Sequence, residues 1–198
     1  MHVESYPEPA VPRALRAQVL RLQEEAWPAD QPPGTQPDPL PADVPVHDPA
    51  LRPLSMLLVE EGVVVAALDI LRKPLHHAGS IFQAGGLSTV VTRTDLRNRG
   101  NGHRLITAAR AVMLDLDLDL GIFTCDRPLQ PFYESAGWQP LPGTVLIGGS
   151  PDNPFPSDQP GFDKVTLAAF FTPLAHQAEA TFHNARIPLH PGHIDKLW

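Results

Sequence analysis

"RNRGNGHR", Arg97–Arg104, decides how this chain is read. Arg97, Arg99 and Arg104 crowd eight positions, and Gly100 and Gly102 stand one residue apart. A β-branched run, Ser88–Thr92 (STVVT), lies four residues upstream, and a helix-like run, Leu105–Leu114 (LITAARAVML), follows directly. A helix start leaves backbone N–H groups unpaired and carries the positive end of the helix dipole. Glycines let an anion approach such a backbone closely, and arginines add charge-assisted bonds. Asn98, Asn101 and His103 complete a loop built to cradle a phosphate.

Outward from the loop, the hydrophobic period changes twice. Residues 54–92 read as three consecutive antiparallel strands, broken by tight turns at "EEG" (60–62) and "HHAG" (76–79). After the loop, a helix is expected over 101–116, with Leu105, Ile106, Ala109, Val112, Met113 and Leu116 on its apolar face. The run "LDLDLDLG" (114–121) lacks the glycine and terminal glutamate of a calcium loop; it reads as a helix end, a turn and the start of strand "LGIFTC". A short helix, "PLQPFYESAGW" (128–138), then "TVLIGG", a proline-rich loop at 151–160, "DKVTLAAFF" and a C-terminal tail complete the chain. Upstream, residues 11–27 have helical spacing through Val11, Leu15, Val19, Leu22 and Trp27. The proline-rich segment 28–53, with Asp30, Asp38, Asp43 and Asp48, reads as a long loop or an acidic wall. The order α-β-β-β-α-β-α-β-β argues α+β, with one central, mixed but mostly antiparallel sheet flanked by helices. A single domain over 1–198 is expected, with no internal repeat.

Composition narrows the function. Net charge is −7, so any anion site is local and nucleic acid is a poor partner. One cysteine, Cys125, excludes a disulfide framework and a cysteine-based zinc site. The start of the chain lacks the charge and apolar pattern of a signal peptide, and no run reaches the ~18 apolar residues of a membrane helix. A soluble cytoplasmic protein without a membrane partner is expected. His190 and His193 lack companions at ligand spacing, so no metal is expected.

Two nucleotide loops fail on the residues. A Walker loop needs Gly-Lys-Ser/Thr where His103 and Arg104 stand. A dinucleotide fingerprint needs a third glycine where Leu105 stands, directly after a strand; here Arg93–Leu96 intervene. Arg97-x-x-Gly100-x-Gly102 instead resembles the Gln/Arg-x-x-Gly-x-Gly/Ala motif of the GNAT acetyltransferase superfamily. "CDRPLQPFYESAGW" (125–138) is similar to the family's later block, in which a helix carrying Phe-Tyr precedes Gly and an aromatic. The resemblance implies a GNAT fold with acetyl-CoA as co-substrate and a small-molecule amine as acceptor. The pyrophosphate would be held by Arg97, Asn98, Arg99, Gly100, Asn101, Gly102, His103 and Arg104, and the pantetheine arm by the strand edge at Val90, Val91 and Thr92. A homodimer is compatible with it.

Within the superfamily the chain looks closest to the aminoglycoside 2′-N-acetyltransferase branch, through its first helix, its first hairpin, "FYESAGW" and the ending "HIDKLW". That branch carries a glutamate base nine residues before the first arginine; here the position is Ser88, which cannot act as a carboxylate base. The branch's C-terminal acid falls at Asp195, displaced from Lys196, two before the terminal Trp198. The resemblance assigns Tyr133 as general acid, the amide of Val91 or a neighbour as oxyanion donor, and Ser88, Thr124 and Trp198 to the acceptor pocket. Asp126 either contacts the cofactor or caps the following helix. Candidate bases are His76, His77, Asp126 and the carboxylate of Trp198. Cys125, on an apolar strand, reads as a small core residue. The missing base leaves a non-catalytic acyl-CoA-binding or sensing module as the alternative to an enzyme.

Overall fold

The computed structural model describes residues 1–28 and 44–189. Asp30, Asp38, Asp43, the two histidines of "HPGH", Asp195 and Trp198 lie outside them.

The chain opens with a strand, β1 (His2–Pro7), and a helix, α1 (Arg13–Ala26). Then come β2 (Leu54–Glu60), β3 (Val63–His77) and β4 (Ser80–Thr92). The expected hairpins are both two-residue turns. Glu61 and Gly62 have φ of 49° and 77°, and Ala78 and Gly79 have 48° and 79°. Paired left-handed residues match the twist of the strands they join. Helix α2 (Asn101–Asp115) follows the glycine loop, and β5 (Leu120–Asp126), α3 (Gln130–Glu134) and β6 (Gln139–Pro140) come next. The chain then forms β7 (Val145–Ser150), β8 (Asn153–Pro156), β9 (Lys164–Phe170), α4 (Pro173–Phe182) and β10 (Arg186–Pro188).

Seven strands form the main sheet in the order β1-β2-β3-β4-β5-β9-β6, and β4–β5 is its one parallel pair among the described residues. This is the α+β fold and mostly antiparallel mixed sheet expected from the sequence. Four readings are corrected. There are two sheets, because β7 pairs with β8 and β10 instead of joining the main sheet. The N-terminal strand β1 was missed; it is a short edge strand of mixed composition, without a strong apolar alternation. The tail contains α4, where Thr172 caps the helix by accepting from the Ala175 N–H at 3.3 Å and Pro173 occupies the first turn. Trp27, placed on the apolar face of the first helix, is 55% exposed, because α1 ends at Ala26.

The helices pack on opposite faces of the main sheet. Leu15, Val19 and Leu22 of α1 cover Leu57, Val59, Val64, Ala67 and Val91. Leu105, Ile106, Ala109 and Met113 of α2 belong to the larger core on the other face, with Leu58, Leu68 and Ile70. The aspartate-leucine run behaves as expected. It ends α2, turns at Asp117 (φ 54°), and tethers β4 to the start of α4 through the Asp119 carboxylate, which accepts from the Gln83 N–H at 2.7 Å and the Thr172 hydroxyl at 2.8 Å.

Strands β4 and β5 pair only at Ala84–Leu120 and Gly85–Gly121. A side chain at Gly121 would meet the Trp138 ring at 2.7 Å and Met113 Sδ at 2.9 Å, and one at Gly85 would meet Leu118 at 2.7 Å. The two glycines thus let three large side chains close over the junction. Gly121→Ala should overpack it and cost about 1–3 kcal/mol. A thermal melt should show a loss of several degrees; an unchanged melting temperature would contradict this packing.

Candidate active site

Past Gly85 the facing edges of β4 and β5 carry no mutual pairing. The β4 edge keeps only its β3 neighbour, so half of its backbone polar groups point into an opening. Which half is set by the ladder. The Arg93 N–H donates to the Val65 carbonyl at 3.0 Å, and antiparallel bonding alternates residue by residue. Val91 therefore faces β3, opposite Ala67, and the amides and carbonyls of Val90 and Thr92 turn to the opening. The Val91 amide, expected from the sequence as a candidate oxyanion donor, is thus turned to β3, and those of its neighbours Val90 and Thr92 are turned to the opening. The Thr92 carbonyl, turned outward, accepts from Arg97 Nε at 3.2 Å.

A bulge sits beside this edge. Ala67 pairs with Val91 and Asp69 with Ser88, so Leu68 faces both Thr89 and Val90. Thr89 has φ 50°, a costly conformation for a β-branched residue.

The glycine loop reaches the mouth of the opening. Gly100 (φ 78°) is the N-cap of α2 and has no capping side chain. The amides of Asn101, Gly102 and His103 precede the first intrahelical bond, from the Arg104 N–H to the Gly100 carbonyl at 2.9 Å. A side chain at Gly102 would come within 3.0 Å of Thr92 Oγ1 and 3.2 Å of Phe132, so the end of β4, the start of α2 and α3 converge there. His103 Nε2 bonds the Ser135 carbonyl at 3.1 Å, tying α2 to the end of α3. The loop's polar side chains divide. Arg99 and Asn98 are exposed, and Asn98 is left-handed (φ 57°). Asn101 is buried and donates to the Leu96 carbonyl at 3.0 Å, leaving its backbone amide clear. Arg104 Nη2 donates to the Met1 carbonyl at 3.1 Å.

Across the opening, Tyr133 is buried, with its ring 5.0 Å from both Phe123 and Phe132. Burial first, then the neighbouring Cys125 and Asp126, raise its pKa, so its hydroxyl stays protonated through neutral pH. Burial also pushes the Cys125 thiol up to about 11, with Asp126 adding to the shift, which leaves it neutral and unreactive. Asp126 makes no capping bond; its exposed carboxylate accepts from Lys164 Nζ. Thr124 alternates with Phe123 and Cys125 and so leaves the face they share. His76 and His77 sit at the hairpin beyond the junction, away from the opening, and His77 Nε2 bonds the Thr181 carbonyl at 3.0 Å. They are removed as base candidates.

Sequence reasoning missed a polar pocket on the α1 face. Its floor is Asp69, and its walls include Glu8, Arg16, Val19, Ser55 and Leu57. Asp69 Oδ1 accepts from Ser55 Oγ at 2.5 Å, and Oδ2 accepts from Thr89 Oγ1 at 2.7 Å and bonds His47 Nε2 at 3.2 Å. The signal was available: Asp69 is the one acid in the apolar run Val63–Leu75. Ser88 pairs with Asp69 but does not line the pocket, and neither does Thr124.

No protein-family model matches the chain, and no curated protein matches it. Solved structures do. Escherichia coli ElaA shares 16% identity, covering 85% of this chain and 99% of its own, with a TM-score of 0.53. An acyl-CoA N-acyltransferase from Pseudomonas aeruginosa shares 18% identity over 84% and 97%, with a TM-score of 0.55. An aminoglycoside 6′-N-acetyltransferase complexed with coenzyme A shares 11% over 87% and 98%, with a TM-score of 0.54. At these identities the likeness is one of fold: the chain has the fold of the GNAT N-acetyltransferases.

Proposed function

We propose that this protein is an acetyl-CoA-dependent N-acetyltransferase that acetylates a primary amine of a small molecule, an amino sugar such as an aminoglycoside being the class suggested by the 2′-branch resemblance. The observation that carries the reading is the unpaired β4 edge leading straight to an uncapped helix N-terminus. The two features offer what a long thioester with a pyrophosphate needs: backbone partners for an extended arm and amides for an anion. Neighbours with this fold are acyltransferases, one of them complexed with coenzyme A.

In this reading the amides of Asn101, Gly102 and His103 hold the pyrophosphate, with Arg99 and Arg97 adding charge. Val90 and Thr92 bind the arm, and one of their amides meets the oxygen that gains charge as the amine attacks. Holding both reactants in line supplies much of the rate. Tyr133, kept as a phenol by burial, gives its proton to the departing thiolate. The alternative of a non-catalytic acyl-CoA sensor rests on Ser88, which leaves the expected base position without a carboxylate.

Isothermal titration should show acetyl-CoA binding in the micromolar range, abolished in an Arg99→Glu/Gly102→Asp double variant. Normal affinity in that variant would overturn the cradle. Tyr133→Phe should lower the rate of thiol release about 10²-fold with binding retained; an unchanged rate would remove Tyr133 from the chemistry.

A further inference from the structure

The carboxylate absent at Ser88 stands one strand away. Asp69 of β3 is the direct cross-strand partner of Ser88, so the two side chains leave the same face of the sheet. That face is the one α1 covers, where Leu57, Ala67 and Val91 pack. Asp69 is only 6% exposed. A buried carboxylate is costly unless its oxygens are bonded. Ser55, Thr89 and His47 supply three bonds, and a carboxylate has about four acceptor positions. The remaining direction is the pocket.

The rest of the pocket is arranged around this group. Glu8 is bound up with the wall: its Oε1 accepts from Arg16 Nη2 at 3.2 Å and the Val46 N–H at 2.6 Å, and its Oε2 from the His47 N–H at 3.4 Å. Arg16 also donates to the Val44 carbonyl at 2.5 Å. The Glu8–Arg16 pair thus clamps residues 44–47 onto the sheet and delivers His47, whose side chain is fully buried, to Asp69. Arg16 Nε, buried in the pocket wall, has no hydrogen-bond partner among the described residues, a second polar group that a ligand would satisfy. Thr89, outside the pocket lining, ties Asp69 to the β4 edge. Its hydroxyl bonds Asp69 while the next residue, Val90, turns its amide to the unpaired edge.

We propose that Asp69 is the general base of this acetyltransferase and that His47 is its positioning residue. The inference rests on the acetyltransferase reading. An amine meets the acyl donor at the open β4 edge, on the sheet face that carries Asp69; the pocket beside Asp69, about 20 Å³, has room for about one water. The amine nitrogen bonds the acyl carbon as the carbon–sulfur bond breaks. Asp69 takes the proton the nitrogen must lose, and Tyr133 protonates the thiolate. Asp69 then releases its proton to solvent, and Tyr133 regains one from it.

Among the described residues, the titratable groups facing Asp69 are His47 in contact and Glu8 and Arg16 across the pocket; β2 and β4 contribute only hydroxyls. Asp69→Asn and His47→Gln in the full chain test the assignment, by thiol release with a panel of amines, acetyl-CoA titration and thermal melts. Asp69→Asn should lower kcat by about 10²-fold or more and flatten the acid limb of the kcat/KM profile, with acetyl-CoA affinity unchanged. His47→Gln should displace that limb and cost less. Should Asp69→Asn fail to fold, the wild-type and His47→Gln profiles decide: a limb that moves supports the assignment, and two superimposable profiles overturn it. Turnover that survives Asp69→Asn within about threefold overturns the base and leaves the transferase standing. Wild-type protein that binds acetyl-CoA yet turns over no amine favours the sensor and overturns the base. Failure to bind acetyl-CoA overturns the transferase reading, and the base falls with it.

Discussion

The two-residue pairing of β4 with β5 is the constraint on which the rest depends. A parallel pair that ran the full length of both strands would bury every backbone group and leave no opening. Here Gly85 and Gly121 close the junction tightly against Met113, Leu118 and Trp138. Beyond it, β5 follows β9, and β4 stays with β3. Unpaired strand edges are a liability that proteins normally cover. This one leads to an uncapped helix N-terminus, which is likewise a set of unpaired donors. Two unsatisfied backbone features placed end to end are best explained by a ligand that satisfies both.

The two faces of the sheet beside the opening differ in chemistry. The α2 side is backbone-rich and electropositive at Gly100–His103. The α1 side holds the Asp69 pocket, with His47, Ser55 and Thr89 bonded to one carboxylate. The Thr89 bulge joins them: it strains the strand, turns a hydroxyl to Asp69 and puts Val90 at the open edge.

Much of this was legible in the sequence, for identifiable reasons. The hairpins at Glu61–Gly62 and Ala78–Gly79, the amphipathic α2 and the glycine loop follow from local residue chemistry, and each stands where it was expected. The Asp69 pocket was not legible, because it is built by register. Nothing local says that Asp69 pairs with Ser88, or that Glu8 and Arg16 deliver His47 to it. Counting along β4 found a serine; the carboxylate was on the neighbouring strand. Likewise, the outward-facing amides belong to Val90 and Thr92 because the ladder's phase is set by Arg93 and Val65, a detail of pairing and not of sequence. Charge near a glycine loop also says nothing about direction, and the Arg104 guanidinium goes to Met1.

Hydrogen–deuterium exchange with and without acetyl-CoA tests the central claim most directly. The open edge of β4 and the first turn of α2 should be the donor's backbone partners. Binding should slow exchange in peptides covering 86–92 and 100–104 and leave the β7–β8–β10 sheet unchanged. Exchange at both segments that is unaffected by saturating acetyl-CoA would contradict the account.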